Sequence, residues 1–276
     1  MQRQRLWQKI LYELILILVA AFAVFPLLWM VLSSLKPANE ILRWPIQFLP
    51  KRFTIVHYQE IFSSIPMARY LLNSAIIATV GTSVVVVTSA LAAYAMAIIR
   101  VRRAGFFISL ALLGLIIPVQ VGFIPLFLVA NALHLQNSYI GMVFPFLVSP
   151  FGVFLLTQFF RTIPHELVDA ARIDGLKEGG IIRHVVIPLG RSGITTLVIF
   201  QFMMIWREFF WPLLVVTHEK MRPVTLGMTA YYFQDSVRHW GQILAATTTA
   251  LIPILLVFAV FQRRFIAGIT VGSVKG

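Results

Sequence analysis

Residues Thr162 to Pro188, TIPHELVDAARIDGLKEGGIIRHVVIP, form the longest polar interruption in the second half of a very apolar sequence. Pro164 suits the first position of a helix, because its missing N–H leaves no hydrogen bond unmade there. Glu166 and Asp169 follow in the first turns, where the helix dipole favours anions. Gly175 is placed to end the helix, as a glycine in the left-handed conformation does. The stretch therefore predicts a short helix with defined ends between two membrane spans.

One face of this predicted helix carries mainly small side chains. Residues on that face recur at i, i+3, i+4 and i+7 and are Leu167, Ala170, Ala171 and Asp174. Such spacing places them in one narrow stripe. A flat, alanine-rich stripe is suited to a groove in another protein. A surface helix that only covers the end of a membrane bundle explains the small residues equally well.

The composition is that of an integral membrane protein. Of 276 residues, 59% are hydrophobic and 12% charged, with a mean hydropathy of +0.87, whereas soluble domains are about 45–50% apolar. The absence of cysteine excludes disulfides, thiol nucleophiles and Cys-based metal sites. The six histidines lack metal-ligand spacing, and the sequence contains no Walker-type phosphate loop. No catalytic residues and no metal site are predicted.

Six apolar runs predict an all-α, polytopic membrane protein with a single transmembrane domain over residues 1–276. The predicted spans are residues 10–32, 70–99, 105–129, 139–160, 193–216 and 241–261, with a polar loop at 162–188. Ala21-x-Ala23 could mark a signal-peptidase site, but the apolar run continues nine residues beyond it, which favours a span. Aromatic residues suited to a membrane interface are Tyr231, Tyr232, Phe233 and Trp240.

The basic residues indicate the orientation. The formal charge of +13 lies in short clusters between apolar runs, which is typical of the positive-inside pattern and not of a nucleic-acid-binding surface. If both termini are cytoplasmic, more lysines and arginines fall on the cytoplasmic side of the membrane than on the outer side. This orientation, N-in and C-in, places the Thr162–Pro188 loop in the cytoplasm.

A second polar cluster lies inside the fifth predicted span. Adjacent ionisable residues, Arg207 and Glu208, are rare within a span and are often functional. Aromatic rings beside polar groups also suit a sugar. Alternatively, Arg207 extends towards the membrane surface while Glu208 bonds to a neighbouring helix, and Gln120 in the third span could hold a helix–helix contact. The candidates for a solute pathway are Gln120, Trp206, Arg207, Glu208 and Trp211.

The polar loop resembles the EAA loop of bacterial ABC-importer permeases. That pattern reads Glu-Ala-Ala, three residues, Gly, nine residues, Ile-x-Leu-Pro, and here Asp169-Ala170-Ala171 is followed at the same spacing by Gly175 and Val185-x-Ile187-Pro188. The three departures from the pattern are chemically mild. Other segments resemble the carbohydrate-uptake branch of these permeases, namely SLKP (34–37), FTIVHY (53–58), LLNS (71–74), IIPVQ (116–120), IPLF (124–127), LQNSYIG (135–141), FFRTIPHELVDAARIDG (159–175), WREFFWPL (206–213) and FIAGITVGSVKG (265–276).

The resemblance implies a six-helix type I importer fold in the bacterial inner membrane. It implies a sugar or oligosaccharide as solute, a second homologous permease, two copies of a cytoplasmic ABC ATPase and an extracytoplasmic solute-binding protein. ATP and Mg would bind to the ATPase, so this chain is expected to hold no cofactor and not to be an enzyme. The loop would be the coupling helix, with contacts to the ATPase through Glu166, Leu167, Asp169, Ala170, Ala171, Asp174, Gly175 and Pro188.

Other functions remain open from the sequence. These permeases usually carry Asn where Arg207 stands, so a sugar phosphate, a glycerophosphodiester or another polar solute is an alternative cargo. An ion-coupled secondary transporter, with Glu208 as its proton site, and a membrane anchor without transport are alternatives of other classes.

Overall fold

Within the part of the chain that the structure describes, every regular element is a helix. The structure is a computed structural model that describes the backbone of residues 2–229 and 239–273 and the side chains of residues 9–229 and 239–262. The all-α prediction is confirmed. The predicted interfacial residues Tyr231, Tyr232 and Phe233 lie outside the described residues, whereas Trp240 begins the last helix.

Among the described residues, three helices are each long and apolar enough to cross a membrane, over residues 9–34, 67–97 and 240–262. Three pairs of bent helices raise the number of crossings to six if each pair is one span. The three long helices are α1 (Gln2–Ser34), α4 (Met67–Ala97) and α15 (Trp240–Ser273). Two shorter helices, α2 (Ala38–Ile41) and α3 (Val56–Ser64), lie between α1 and α4.

The third and fourth apolar runs are broken helices. In the third, α5 (Ala104–Ile116) and α6 (Phe123–Ala132) are joined through Pro118 and a 3₁₀ turn, and the pair is bent by 93°. In the fourth, α7 (Tyr139–Val143) and α8 (Pro150–Phe160) are joined through a second 3₁₀ turn and bent by 54°. Proline has no N–H and fixes φ, so it begins a helix more readily than it continues one.

The segment that follows holds the polar loop and the fifth apolar run. Its helices are α9 (His165–Ile173), α10 (Glu178–Ile181), α11 (Ile187–Leu189), α12 (Arg191–Trp206), α13 (Phe210–Val215) and α14 (Val224–Gly227). A π-helical turn over residues 182–186 joins α10 to α11. This wider turn directly precedes Pro188, whose ring would collide with the carbonyl of His184 in regular α geometry. An 80° bend then leads into α12.

The chain separates into two compact units, residues 1–67 with 228–252 and residues 68–227 with 253–276. In the first unit, the buried Lys36 donates from Nζ to the carbonyl of Gln47 at 2.6 Å and lies 4.1 Å from the centre of the Trp29 ring. Burial lowers the pKa of Lys36. His57 bonds to the Lys36 carbonyl at 3.0 Å. The single-domain prediction for residues 1–276 stays a prediction.

The second unit has a hydrophobic core shared between the long helices and the polar loop. It joins side chains of α4, α8 and α12 to side chains of α9 and the residues after it, among them Val85, Ala93, Tyr94, Leu156, Phe160, Val168, Ala171, Ile181, Val186 and Leu197. The polar loop is therefore packed against the membrane helices and is not an independent excursion.

Close packing between α8 and α12 gives a test of this core. A Cβ atom on Gly193 would lie 2.5 Å from Cγ and 2.8 Å from Cβ of Phe159, and this Cβ cannot move away without a shift of the helix. We expect Gly193→Ala to destabilise the protein by about 1–3 kcal/mol through overpacking, more than the gain of about 1 kcal/mol in helix propensity. Thermal unfolding of the detergent-solubilised protein measures this as a lower Tm. Gly105→Ala is the control, because a Cβ there meets nothing within 4 Å, and equal Tm values for the two variants would contradict the packing argument.

Candidate functional site

The helix predicted in the polar loop is α9, and both of its ends are defined. Pro164 stands one position before the first helical residue, at φ −59° and ψ 129°. At the other end, Gly175 has φ +85°, its N–H donates to the carbonyl of Arg172, and the N–H of Leu176 donates to the carbonyl of Ala171, both at 3.0 Å. This is a Schellman ending. The prediction that Gly175 ends the helix is confirmed.

One residue of the predicted outward stripe, Ala171, lies on the buried face of α9. Ala171 is only 6% exposed and packs into the core with Val168, so the prediction that Ala171 belongs to an outward face is corrected. Spacing alone put it in the stripe, but the larger side chain of Val168 draws that edge of the helix inwards. The exposed apolar face consists of Leu167, Ala170 and Ile173, and Ile173 is 87% exposed.

The acids of α9 are exposed beside this face, whereas Pro188 lies further along the chain. Glu166, Asp169 and Asp174 are all exposed, and Asp174 occupies the C-terminal cap of α9. Pro188 is also exposed, but it lies in α11 after the π turn. Pro188 therefore redirects the chain into α12, whereas the acids are placed to face a partner.

A chain of polar contacts ties α9 to the membrane helix α4. The hydroxyl of Tyr94 donates to Oε2 of Glu178. Arg172 donates from Nε to Oε1 of Glu178 at 3.4 Å and from an Nη atom to Oδ1 of Asp169 at 3.3 Å. The bond to Glu178 raises the pKa of Arg172. The role of Tyr94 was missed from the sequence, because its partner lies 84 residues away and Tyr94 itself stands in an apolar run.

The second candidate cluster lies where α12 ends and α13 begins. Oε1 of Glu208 accepts hydrogen bonds from the backbone N–H groups of Phe209 and Trp211, both at 3.1 Å. Its carboxylate therefore caps α13 and satisfies N–H groups that have no helical partner. The Glu208 carbonyl also accepts from the hydroxyl of Thr225 at 2.8 Å. These contacts assign Glu208 a structural role.

The two tryptophans of this cluster are buried within the chain. Trp211 is 0% exposed and donates from Nε1 to the carbonyl of Gly141 at 2.9 Å. Trp206 is buried and stacks on Phe202, with ring centroids 5.6 Å apart. A direct contact between a solute and either indole would require the ring to leave the core. We therefore assign both rings to packing, in place of the predicted pathway role.

Two of the five pathway candidates are exposed, namely Arg207 and Gln120. Each of them lies at a break between helices. Arg207 makes a 3.5 Å contact with the sulfur of Met204, and within the described residues it forms no ion pair. The breaks lie in one region, because Phe123 and Trp211, each a few residues beyond one break, pack with ring centroids 5.7 Å apart. The structure thus brings together the regions of the two candidates that remain accessible.

Residues 89–271 match the family described as the inner membrane component of binding-protein-dependent transport systems. The chain belongs to this family. It is accordingly a multi-pass inner membrane permease of the ABC type, and its relatives are transport permeases, not enzymes.

Three related permeases are similar to this chain along nearly its whole length. The arabinooligosaccharides transport system permease protein AraQ of Halalkalibacterium halodurans is 34% identical, covering 94% of this chain and 93% of the relative. The sulfoquinovosyl glycerol transport system permease protein SmoH of Agrobacterium fabrum is 32% identical, covering 91% and 89%. The sn-glycerol-3-phosphate transport system permease protein UgpE of Brucella abortus is 31% identical, covering 98% of each chain.

A solved structure supports the fold. A chain of a bacterial ABC transporter involved in the import of the acidic polysaccharide alginate matches with a TM-score of 0.82 and 20% identity, covering 96% of this chain and 98% of that one. The ABC-importer permease fold predicted from the sequence is therefore confirmed.

The hydrogen bonds that connect Tyr94 to α9 predict that Tyr94 helps to hold the polar loop against α4. We expect Tyr94→Phe to increase amide hydrogen exchange in residues 165–181 by roughly two- to tenfold, because one hydrogen bond that anchors the loop is lost. Hydrogen-exchange mass spectrometry of the purified protein measures this. Tyr139→Phe is the matched control, since its hydroxyl donates to Oδ1 of Asn73 at 2.8 Å far from the loop. Equal exchange of residues 165–181 in the wild type and both variants would contradict the anchoring role.

Proposed function

We propose that this chain is a permease subunit of a bacterial ABC importer, that it forms half of the pathway for a carbohydrate, and that α9 couples this pathway to a cytoplasmic ATPase. The observation that carries the proposal is the exposed apolar face of Leu167, Ala170 and Ile173 on a helix whose other face is built into the core. Large apolar side chains exposed together on an otherwise polar segment are typical of a protein–protein contact.

The physical chemistry of α9 suits a docking element. Burial of a leucine or isoleucine side chain contributes about 1.5–3 kcal/mol, so Leu167 and Ile173 supply a sizeable part of a contact, while Ala170 leaves room for close approach. The exposed acids Glu166 and Asp169 would meet basic groups on the ATPase. Asp174 and Gly175 fix the end of the helix, and Gly175 lies outside the contact itself.

The attachment of α9 to the core suits the transmission of movement. Val168 and Ala171 share one core with side chains of α4, α8 and α12, and Tyr94 adds a polar contact to α4. A displacement imposed on α9 would therefore move the membrane helices with it as packed bodies. ATP binding by the partner would bias one arrangement of these helices, as coupling of this kind requires.

The assembly that we propose follows from this role. Both termini are cytoplasmic, in line with the distribution of basic residues. The partners are a second homologous permease, two copies of an ABC ATPase and an extracytoplasmic binding protein. ATP and Mg bind to the ATPase, and we propose no cofactor for this chain.

The names of the relatives support a carbohydrate as the solute, since the arabinooligosaccharide and sulfoquinovosyl glycerol permeases are both similar along most of the chain. A secondary transporter with Glu208 as proton site is less well supported. The Glu208 carboxylate accepts two backbone hydrogen bonds and is therefore already engaged in capping α13.

An anionic solute is the second candidate, and Arg207 favours it. The helix α12 begins at Arg191, so Arg207 lies about 24 Å along it, near the far side of a hydrocarbon layer about 30 Å thick. An exposed guanidinium there is stabilised by water at the membrane surface or by an anion in the pathway. One of the relatives is named as a permease for sn-glycerol-3-phosphate, which is an anionic solute.

The coupling proposal predicts that Ala170→Arg uncouples the assembled importer. A long charged side chain would hold the apolar face of α9 away from the ATPase, and loss of that contact corresponds to about a tenfold or larger decrease in solute-stimulated ATP hydrolysis. The complete complex, reconstituted in proteoliposomes with its binding protein, is assayed for ATP hydrolysis and for uptake of labelled arabinooligosaccharides and other sugars. Ala132→Arg, at the exposed end of α6, is the control. Normal coupling in Ala170→Arg would remove the docking role, and absence of uptake of any saccharide would remove the carbohydrate assignment.

The second candidate predicts a charge-selective effect at Arg207. In Arg207→Gln, uptake of sn-glycerol-3-phosphate should weaken by about 10–100-fold in KM, the range for loss of a charge-assisted hydrogen bond, while uptake of neutral arabinotriose should change little. Arg207→Lys should keep part of the anion uptake, because its charge remains. Arg52→Gln, an exposed arginine outside the long helices, is the matched control. If the wild type does not take up the anion, or if Arg207→Gln affects both solutes alike, Arg207 does not select for charge.

A further inference from the structure

A groove of about 560 Å³ lies between α4, α5 and α8, apart from the two clusters predicted from the sequence. Its lining side chains are all apolar, among them Ala95 of α4, Phe107 and Leu110 of α5 and Val153 of α8. Phe107 and Leu110 are each about half exposed, so the groove is open to whatever surrounds the chain. Its volume lies within the roughly 300–1,000 Å³ of ligand pockets. In a membrane, such a groove is filled by a lipid or by another helix.

Three arginines stand at one end of this groove. They are exposed, they lie in the turn between α4 and α5, and they are Arg100, Arg102 and Arg103. Val101, within this turn, is itself a lining residue. Arg103 precedes Phe107 and Leu110 at the spacing i, i+4 and i+7, so it stands at the start of the lining face of α5. The groove therefore has apolar walls and a cationic end.

The cationic end lies on the same side of the second unit as the polar loop. Tyr94, six residues before Arg100, bonds to Glu178 of that loop, so this end is cytoplasmic in the orientation proposed above. Leu110 lies seven residues after Arg103, about 10 Å further along α5. A phospholipid has the same arrangement, with its phosphate in the interfacial region and its acyl chains in the hydrocarbon layer.

The positive charge of the three arginines is not balanced by acids of the chain. Residues 61–165, which form the groove, contain no aspartate or glutamate, and the ion pairs of the described residues include none of these arginines. Glu178 is already bonded to Tyr94 and Arg172. Arg100 also has φ +56°, a conformation that glycine adopts more readily, so its side chain is kept there at a cost. The guanidinium groups are therefore available to an anion from outside the chain.

The charge also distinguishes a lipid from a neighbouring helix as the occupant of the groove. Membrane proteins carry an excess of Lys and Arg next to the cytoplasmic ends of their helices, as α1 does here with Arg3, Arg5 and Lys9. A helix of the partner permease would therefore bring like charges beside the three arginines. An anionic headgroup brings the opposite charge, and basic pockets between membrane helices on the cytoplasmic side are typical of anionic-lipid sites.

We propose that this groove binds one anionic phospholipid of the cytoplasmic leaflet, with its phosphate on the arginines of the turn and an acyl chain along α4, α5 and α8. The proposal depends on the proposed orientation of the chain. It is independent of the solute and of the contact with the ATPase, so either of those proposals can fail without affecting it.

The first test asks which lipid enters the groove. The complete complex is placed in phosphatidylethanolamine nanodiscs that contain a trace of photoactivatable phosphatidylglycerol or phosphatidylethanolamine, each with a diazirine in one acyl chain. Adducts on residues 107–111, located by tandem mass spectrometry, should be at least about fivefold more frequent with the phosphatidylglycerol probe. Equal labelling by both probes would show that the groove takes any surrounding lipid, and absence of adducts from both would show that the partner permease covers it. Either result would overturn the proposal.

Removal of two of the positive charges tests the headgroup contact. In the double variant Arg102→Gln with Arg103→Gln, labelling of residues 107–111 by phosphatidylglycerol should fall roughly tenfold or more, because each basic side chain near the surface contributes about a fivefold factor. Labelling by phosphatidylethanolamine should stay unchanged. The control is Lys177→Gln with Arg183→Gln, which removes the same charge from the polar loop, a segment that does not line the groove. An equal fall in both double variants would show a general effect of charge and would contradict a site at the turn.

A bulky side chain inside the groove tests the acyl-chain contact without a change of charge. Ala111 lines the groove, whereas Leu112 is exposed on α5 outside it. Added dioleoyl-phosphatidylglycerol should raise the Tm of the delipidated complex in the wild type and in Leu112→Trp, because a ligand stabilises the state that binds it. In Ala111→Trp the rise should be smaller by at least half. The same rise in all three proteins would show that the lipid acts elsewhere and would overturn the groove as its site.

Discussion

No water is available in the hydrocarbon layer, so each break in a helix that crosses it must satisfy its backbone N–H and C=O groups within the protein. This constraint determines where many polar side chains of the second unit lie. The hydroxyl of Ser138 accepts from the N–H of Gly141 at 3.0 Å, the hydroxyl of Ser149 accepts from Gly152 at 3.1 Å, and Glu208 accepts from two N–H groups at the start of α13. These side chains satisfy backbone N–H groups at the starts of α7, α8 and α13.

The same constraint separates structural from functional polar groups. Glu208 looked like a transport residue beside Arg207, yet its carboxylate completes the backbone hydrogen bonding of α13. Once the capping groups are accounted for, the exposed Arg207 has no such duty. Its position at a helix break is where contact with a solute is physically useful.

Much of the fold class and of the loop could be predicted from the sequence, because both depend on local patterns. Apolar runs indicate membrane helices, and the spacing from Asp169 to Gly175 indicates a helix with a glycine ending. The orientation of α9 could not be predicted, since a stripe of small residues does not show which of its edges is buried, and Val168 decides this through contacts distant in sequence. Tyr94 was missed for the same reason, because a hydroxyl in an apolar run gains meaning only from its three-dimensional neighbours.

The ending of α9 at Gly175 has a consequence for which residues this position can hold. A Cβ atom there would meet nothing within 4 Å, while φ is +85°. The position therefore favours glycine by handedness and not by volume, since most L-amino acids pay about 1–2 kcal/mol for a left-handed backbone whatever their size, with asparagine the usual exception. A D-amino acid, which favours positive φ, would occupy it without strain and would keep the hydrogen bonds that close the helix.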